Sequence, residues 1–464
     1  MRRSQLISVF LELTGVEKRE LNKFVASPFF NQRKEVTDLW RYLVDYSKEG
    51  STAFKKERVF ESVFQGKEFD DKLLRHVSSW LLRCIEEYLA YVEYKSTPVK
   101  ETLHKARAYK HKKQEKYFQK SIRVGEQQLE KMNPGLEFYY FEYSLKFEQY
   151  NYVDSRNRGI ENNLRSMNQA LDKYLLMSKL KQACFVNSHQ SVFTTKYDFQ
   201  LVELLLTFLE NSSYLKEPSI ACYYYCYRAI SENNTECFQL LKSTLQQHQY
   251  LLAPDDLKYL YFSSINFCIR KINTGINEYR REVFDLYKSG LREGLLIENG
   301  ELSRFTYNNI VSAALAFEEF EWLENFIPDY KPMLDPRHRE SNYIYSLAKL
   351  DFTRKNYDQA MTLLLQIDER DLLLNADAKI MLVKIYFERN EYDALSSLLS
   401  STMVWLGRKK ILSYHKKHYQ NFIRFTGRIL HLTPRDKKAY EKLKKEIQEE
   451  KEMGSKDWLL EQLG

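Results

Sequence analysis

Apolar residues recur every three to four positions along most of the chain, and this spacing predicts helices. A clear example is the segment 70–94, DDKLLRHVSSWLLRCIEEYLAYVEY, which is predicted to form one long amphipathic helix. Sustained alternation of apolar and polar residues is missing, so we predict no strands and no β-hairpin. At ordinary helix lengths the chain has room for roughly eighteen helices, and the predicted fold class is all-α.

Five prolines are predicted to mark the starts of helices. Each precedes an amphipathic run, and the first turn of a helix has no use for the N–H group that proline lacks. They are Pro134, Pro218, Pro254, Pro336 and Pro434.

A repeat of 35 residues runs through the segments ALAFEEFEWLENF, KLDFTRKNYDQAM and KIYFERNEYDALS. The aligned positions are Phe317, Phe352 and Phe387, followed five residues later by Trp322, Tyr357 and Tyr392. Two helices and their turns fill about 34 residues in a tetratricopeptide repeat, so the period resembles that family. Ala348 and Ala360 are the small residues expected where the two helices of one repeat cross.

The resemblance implies a right-handed solenoid of helical hairpins, and we divide the chain into four segments on that basis. Residues 1–97 are predicted to form an N-terminal helical cap, and residues 98–300 degenerate helical repeats. Residues 301–432 are predicted to form tetratricopeptide-like repeats that end in a basic helix. Residues 433–464 are predicted to be a charged helical tail with a short piece around Trp458 that docks on the repeats.

Four stretches are similar to an uncharacterised helical-repeat family of Bacteroidetes bacteria. They are KFVASPFFN (23–31), TYNNIV (306–311), AKIMLVKIYFERNEYDAL (378–395) and RKKILSYHKKHYQNF (408–422). This resemblance implies a tetratricopeptide-like fold in a bacterial cell and does not imply any activity.

Positive charge is concentrated in one window near the C-terminus. The 464 residues carry a formal charge of +8. Between Asp393 and Asp436 there is no acidic residue, whereas eight lysines and arginines lie there, so the rest of the chain is neutral. The basicity is therefore local.

Treated as one helix, residues 409–432 place a basic stripe opposite an apolar face that includes Phe422, Ile423 and Ile429. The stripe contains Lys410, Tyr414, Lys417, Asn421, Arg424 and Arg428. An exposed helix face usually mixes charges of both signs, because pairs at i and i+4 stabilise it and like charges repel. We predict these six residues as partner-binding residues, and a merely solvated face remains the alternative.

The sequence lacks the common phosphate-binding and catalytic motifs. The glycine-rich phosphate loops GxGxxG and GxxxxGK[ST] do not occur, and neither do GxSxG and HExxH. His415 and His418 would share one side of a helix, but a zinc site needs a third ligand and the basic window offers none. We therefore expect no enzyme, no cofactor and no metal.

Cysteine spacing and hydropathy predict a soluble cytoplasmic protein. None of the six cysteines forms a CxxC pair, and they are expected to be reduced, packed thiols. The apolar stretch at the N-terminus is too interrupted for a signal peptide, and no apolar run approaches the ~18 residues of a membrane span.

Two functions follow from these patterns. The first is a non-enzymatic scaffold for protein–protein interaction, with another protein or peptide held in the concave groove of the solenoid. The alternative is binding of nucleic acid, in particular RNA, through the basic helix 408–435. The partner and the oligomeric state stay open at this stage.

Overall fold

The computed structural model describes residues 4–48, 55–154, 163–190, 197–198, 200–367, 371–409, 413–432, 437–450 and 452–463. About 80% of the chain is helical, which confirms the all-α prediction.

The helices of the N-terminal half are α1 (Gln5–Glu12), α2 (Gly15–Ala26), α3 (Lys34–Lys48), α4 (Lys56–Val63), α5 (Asp71–Ser96), α6 (Pro98–His111), α7 (Glu115–Leu129), α8 (Leu136–Asp154), α9 (Leu164–Gln190), α10 (Gln200–Glu210) and α11 (Pro218–Ser231). The predicted long helix at 70–94 is α5.

The C-terminal half continues with α12 (Thr235–His248), α13 (Pro254–Asn273), α14 (Tyr279–Arg292), α15 (Arg304–Leu315), α16 (Phe320–Tyr330), α17 (Arg339–Thr353), α18 (Tyr357–Leu364), α19 (Leu372–Glu388), α20 (Tyr392–Arg408), α21 (Ser413–Leu430), α22 (Lys437–Glu449) and α23 (Lys456–Glu461). Three short 3₁₀ turns lie at Tyr214–Lys216, Gln249–Leu251 and Lys331–Met333.

Local sequence explains where several helices begin. Pro218 and Pro254 open α11 and α13, as predicted, and Pro134 and Pro336 lie shortly before α8 and α17. Pro434 lies outside the described residues. Asp70 caps α5, because its carboxylate accepts hydrogen bonds from the backbone N–H groups of two first-turn residues, at 2.8 and 3.1 Å.

The prediction that the chain contains no β-hairpin is wrong at one place. Strands β1 (Ile297–Glu298) and β2 (Glu301–Leu302) pair in antiparallel fashion around Asn299 and Gly300. Both turn residues have positive φ, 52° and 81°, which an Asn-Gly dipeptide adopts readily in a two-residue hairpin turn. This dipeptide is the sequence signal for the hairpin.

The chain divides into two compact units. One comprises Met1–Gln182 with Phe199–Ile220, and the other comprises Ala183–Asp198 with Ala221–Gly464. The four predicted segments stay a prediction. All six cysteines are free and buried, as expected of packed thiols. In the part of the chain that the structure describes, every helix is too short or too polar to cross a membrane.

The first unit has an aromatic-rich core built from α1 to α5. Trp40 and Phe10 are fully buried, and their rings meet edge to face with centroids 5.6 Å apart. A second core joins α6, α7 and α8, where Phe118 stacks on Tyr152 at 4.2 Å.

In the second unit, α15, α17, α19 and α21 form a row in which each helix contacts the next. We call these four helices the helix row. The helices α16, α18 and α20 alternate with them in sequence and pack against their neighbours in the row. Two of the aligned aromatic pairs are in contact: the rings of Phe352 and Tyr357 lie 5.8 Å apart, and those of Phe387 and Tyr392 lie 6.4 Å apart. The repeat family stays a prediction.

Overpacking at the predicted crossing of α17 and α18 tests the repeat register. Ala348 and Ala360 are both fully buried in one apolar cluster. Ala348→Leu and Ala360→Leu are each expected to lower the free energy of unfolding by about 1–3 kcal/mol, because a packed core has no room for three more carbon atoms. Urea denaturation followed by circular dichroism measures this.

Ala394→Leu is the matched control, because Ala394 is exposed on α20. We expect a change within about 0.5 kcal/mol there. Equal effects at all three alanines would contradict the assigned crossing.

Candidate protein-binding face

The predicted basic stripe belongs to the last helix of the row. Its helix is α21 (Ser413–Leu430). Of the predicted helix 409–432, Lys409 follows the end of α20, and residues 410–412 lie outside the described part of the chain. Tyr414 lies in α21, but its side chain is outside the described part of the chain, as is Lys410. The structure describes the other four stripe residues, and whether they bind a partner stays a prediction.

The described stripe residues contact acidic groups of the chain's own C-terminal segment. We use this name for residues 437–450 and 452–463, which include α22 and α23. Lys417 Nζ lies 3.1 Å from Glu452 Oε2, and Arg424 Nη2 lies 3.6 Å from Glu450 Oε2. Arg428 pairs with Glu446, whose pKa is lowered mainly by that hydrogen bond. Asn421 Nδ2 donates a hydrogen bond of 2.9 Å to the backbone oxygen of Glu452.

Apolar contacts fix the same segment to the helix row. Leu443, Ile447 and Leu459 are 0–1% exposed and belong to one core cluster with Phe422 and Phe425 of α21. The segment is therefore part of the core of the second unit. The ion pairs lie at the edge of this contact.

The final helix α23 places an aromatic side chain on α19 and α21. The ring of Trp458 lies 5.3 Å from Phe387 and 5.6 Å from Phe422, and its Nε1 donates a hydrogen bond of 3.0 Å to Glu388 Oε1. Its neighbour Asp457 pairs with Arg280 at 3.1 Å. The expected docking of the piece around Trp458 is thus seen.

Polar side chains follow one another across the helix row. Asn308 Nδ2 donates to Asn342 Oδ1 at 2.7 Å, and Tyr419 Oη donates to Asp377 Oδ1 at 2.8 Å. Burial raises the pKa of Tyr419, and the nearby Asp377 carboxylate raises it further, so the hydroxyl keeps the proton that it donates. Asn342 and Asp377 stand 35 residues apart, at equivalent positions of α17 and α19.

Two adjoining cavities lie along α15, and the residues of this polar row line the second of them. The first, about 360 Å³, is formed by α13, α14 and α15, and its walls are largely apolar. Its apolar wall residues are Ile269, Ile272, Val283, Tyr287, Ala313 and Ala316. The second, about 230 Å³, lies between α15, α17 and α19 and is lined mainly by polar residues, although apolar atoms form more than half of its surface. Both are lined by Asn309 and Ser312, so they meet along α15.

Two lysines of the row are bonded to neutral hydroxyl groups. Lys349 Nζ donates to Ser312 Oγ and Lys384 Nζ donates to Ser455 Oγ, each at 2.9 Å. Burial lowers the pKa of Lys349. Burial and then the positive charge of Lys349 lower the pKa of Lys384 to about 8, against smaller opposing effects of nearby carboxylates. We call Lys349 and Lys384 the lysine pair.

Sequence reasoning missed the lysine pair, although a signal was present. The two residues are 35 apart, which is the repeat length, so they occupy equivalent positions of α17 and α19. A lysine that recurs at the repeat period on the face of the first helices could have been singled out with the stripe.

The described residues contain no candidate metal site. Among those residues, no three histidine, cysteine, aspartate or glutamate side chains lie close enough to hold an ion.

The nucleic-acid hypothesis makes a distinct prediction now that the stripe has acidic partners. Changing Glu446, Glu450 and Glu452 to glutamine should free three cations for phosphate contacts. Affinity for single-stranded RNA should then rise, and the log–log salt slope should steepen by about 2–3 because each contact contributes about 0.7–0.9. Fluorescence anisotropy over a salt series measures this.

Glu441→Gln is the control, since Glu441 is an exposed residue of α22 that these stripe contacts do not involve. RNA binding that stays unmeasurable at low salt in the triple variant would count against the nucleic-acid hypothesis.

Comparison of the chain with models of known protein families found no match, and comparison with curated proteins found none either.

Proposed function

We propose that the chain is a cytoplasmic, non-enzymatic scaffold of the helical-hairpin solenoid type that binds a segment of another protein across the helix row. The pair of adjoining cavities along α15 carries the proposal. A partner segment needs an apolar site for an anchoring side chain and polar groups for its backbone, and the two cavities offer these side by side.

The polar cavity suits a peptide backbone. Its lining includes Asn308 and Asn309, whose amide groups both donate and accept hydrogen bonds. A buried backbone must satisfy both its N–H and C=O groups, and carboxamide side chains can serve either one. Phe305, which is 61% exposed at the same cavity, adds an apolar rim.

The contact made by α23 supports the same function. A short helix of the chain itself already lies on α19 and α21, with Trp458 against two phenylalanine rings and Lys384 beneath it. The row thus presents chemistry that a short amphipathic segment can use. The six buried free thiols fit a reducing compartment.

Site-specific crosslinking in the native cell tests the proposal. A photo-reactive amino acid in place of Phe305, at the polar cavity, should yield discrete protein adducts. The same amino acid in place of Leu365, which is 78% exposed and lines neither cavity, should not. Adducts are identified by mass spectrometry, with RNA analysed in parallel.

Equal labelling at both positions, or protein adducts at neither, would overturn the proposed function. RNA adducts at Phe305 without protein adducts would favour the nucleic-acid alternative.

A further inference from the structure

The lysine pair carries positive charge that the described part of the chain compensates only weakly. Each ammonium group is hydrogen-bonded to a serine hydroxyl, and neither forms an ion pair with a carboxylate of the described residues. Asp377 lies near enough to oppose the lowering of both lysine pKa values, but its Oδ1 accepts the hydrogen bond from Tyr419. A half-buried cation without a paired anion gains most from an anionic ligand.

The charge lies next to the apolar cavity. Ser312, the hydroxyl partner of Lys349, also lines the cavity between α13, α14 and α15. Arg280 lines the same cavity from α14. An anionic group at the lysine pair and an apolar group in this cavity would therefore belong to one ligand.

We propose that the helix row binds a partner segment that places an acidic side chain at the lysine pair and an apolar side chain in the cavity between α13, α14 and α15. This inference rests on the proposed function and names the kind of segment that is bound. Because Ser312 touches both sites, the two side chains are about one to three residues apart in an extended segment, which advances ~3.3 Å per residue.

Charge complementarity favours an acidic segment over a basic or neutral one. The chain's own α23 already brings Asp457 to Arg280, and the carboxylate of Glu461 acts on Lys384. The segment therefore places acidic residues near both cations that it reaches, Arg280 on α14 and Lys384 on α19. Asp457 is 76% exposed, so its pair with Arg280 is weak and leaves the arginine available to a competing carboxylate.

Selection from a phage-displayed library of random dodecapeptides on the full chain tests the inference. We expect enriched peptides to carry Asp or Glu within about three residues of Leu, Ile, Met or Phe. The double variant Lys349→Met, Lys384→Met should weaken an enriched synthetic peptide by about 10-fold or more, because it loses charge-assisted hydrogen bonds. Methionine keeps the length of the buried stem, so the fold should persist.

Lys379→Met is the matched control. Lys379 is a half-buried lysine of the same helix α19, but it lies over Trp405 at 5.6 Å and lines neither cavity. Its substitution should leave peptide affinity unchanged. Ala313→Phe provides a second, independent probe, because a ring in place of this wall residue fills the apolar cavity and should also weaken the peptide by about 10-fold.

Three outcomes would overturn the inference: no enrichment, enrichment without acidic residues, or equal binding by wild type and the lysine double variant. If crosslinking at Phe305 still captures a protein in any of these cases, the proposed function survives and only the acidic-segment inference fails. If crosslinking fails as well, both are wrong.

Discussion

Leu459→Ala is expected to lower the free energy that holds the C-terminal segment on the second unit by about 2–5 kcal/mol. The side chain is 0% exposed and lies in the cluster that joins the segment to α21, so its truncation removes buried carbon and leaves a cavity. Hydrogen exchange followed by mass spectrometry should show faster exchange in α22 and α23, with little change in α13 or α14.

Leu365→Ala is the matched control, since Leu365 is 78% exposed and should change stability by less than about 0.5 kcal/mol. A wild-type exchange pattern in Leu459→Ala would show that burial does not hold the segment.

Burial, more than charge, should decide the stability of this contact. The side chains of Lys417, Arg424 and Arg428 are 59%, 53% and 43% exposed, so solvent screens all three pairs and each contributes little to stability. Their sum is at most comparable with the one leucine. The stripe that stands out in the sequence therefore contributes less to this contact than the apolar residues beside it.

The position of the stripe on its helix could be predicted, but its surroundings could not. Helical spacing correctly placed Phe422, Ile423 and Ile429 on a buried face and Arg424 and Arg428 on an exposed one. Periodicity describes only one helix, however. The carboxylates opposite the stripe come from residues 18–35 positions later, and their pairing depends on how the chain folds back.

Local sequence predicts single elements but not the contacts between distant ones, and this holds elsewhere in the fold. Local sequence predicts the all-α class, the long helix α5 and the two helices that begin at prolines, α11 and α13. The structure confirms all of these. The hairpin at Asn299 and Gly300 was also local and could have been found. The 35-residue period aligns the two residues of the lysine pair, so their equivalence could have been predicted. The serine partner of Lys384 could not, because it lies 71 positions away and no period indicates it.

Glu148→Gln is expected to destabilise the first unit by about 2–3 kcal/mol. The side chain of Glu148 on α8 is 7% exposed and receives hydrogen bonds from two cations of α6, Arg107 at 2.8 Å and Lys110. Removing one partner of a buried ion pair leaves the others uncompensated and usually costs about 3–5 kcal/mol. Arg107 and Lys110 are 36% and 27% exposed, so they can turn partly to water and the cost should be lower.

Glu101→Gln is a close control for this substitution. Glu101 also bridges two cations, Lys95 at 2.8 Å and Lys105 at 2.6 Å, but its side chain is 21% exposed and both lysines are at least 40% exposed. The cost there should stay below about 1 kcal/mol. Comparable losses from both substitutions, measured by urea denaturation near neutral pH, would show that burial does not distinguish the two sites.

Acidification should remove the contribution of Glu148 to the free energy of unfolding. Burial alone would raise the pKa of this carboxyl, but the hydrogen bonds from Lys110 and Arg107 outweigh it and hold the pKa below its ordinary value of 4.5. A carboxyl with a lowered pKa in the folded state binds fewer protons than it does in the unfolded chain. Its stabilisation is therefore present above pH ~4.5 and is lost as pH falls through the folded-state pKa.

The stability difference between wild type and Glu148→Gln should thus be largest near neutral pH and should shrink on acidification. Denaturation at a series of pH values from about 7 to 3 measures this convergence. A difference that stays constant over the whole range would mean that glutamine disturbs the packing of α6 against α8, and that the charge of Glu148 contributes nothing to stability.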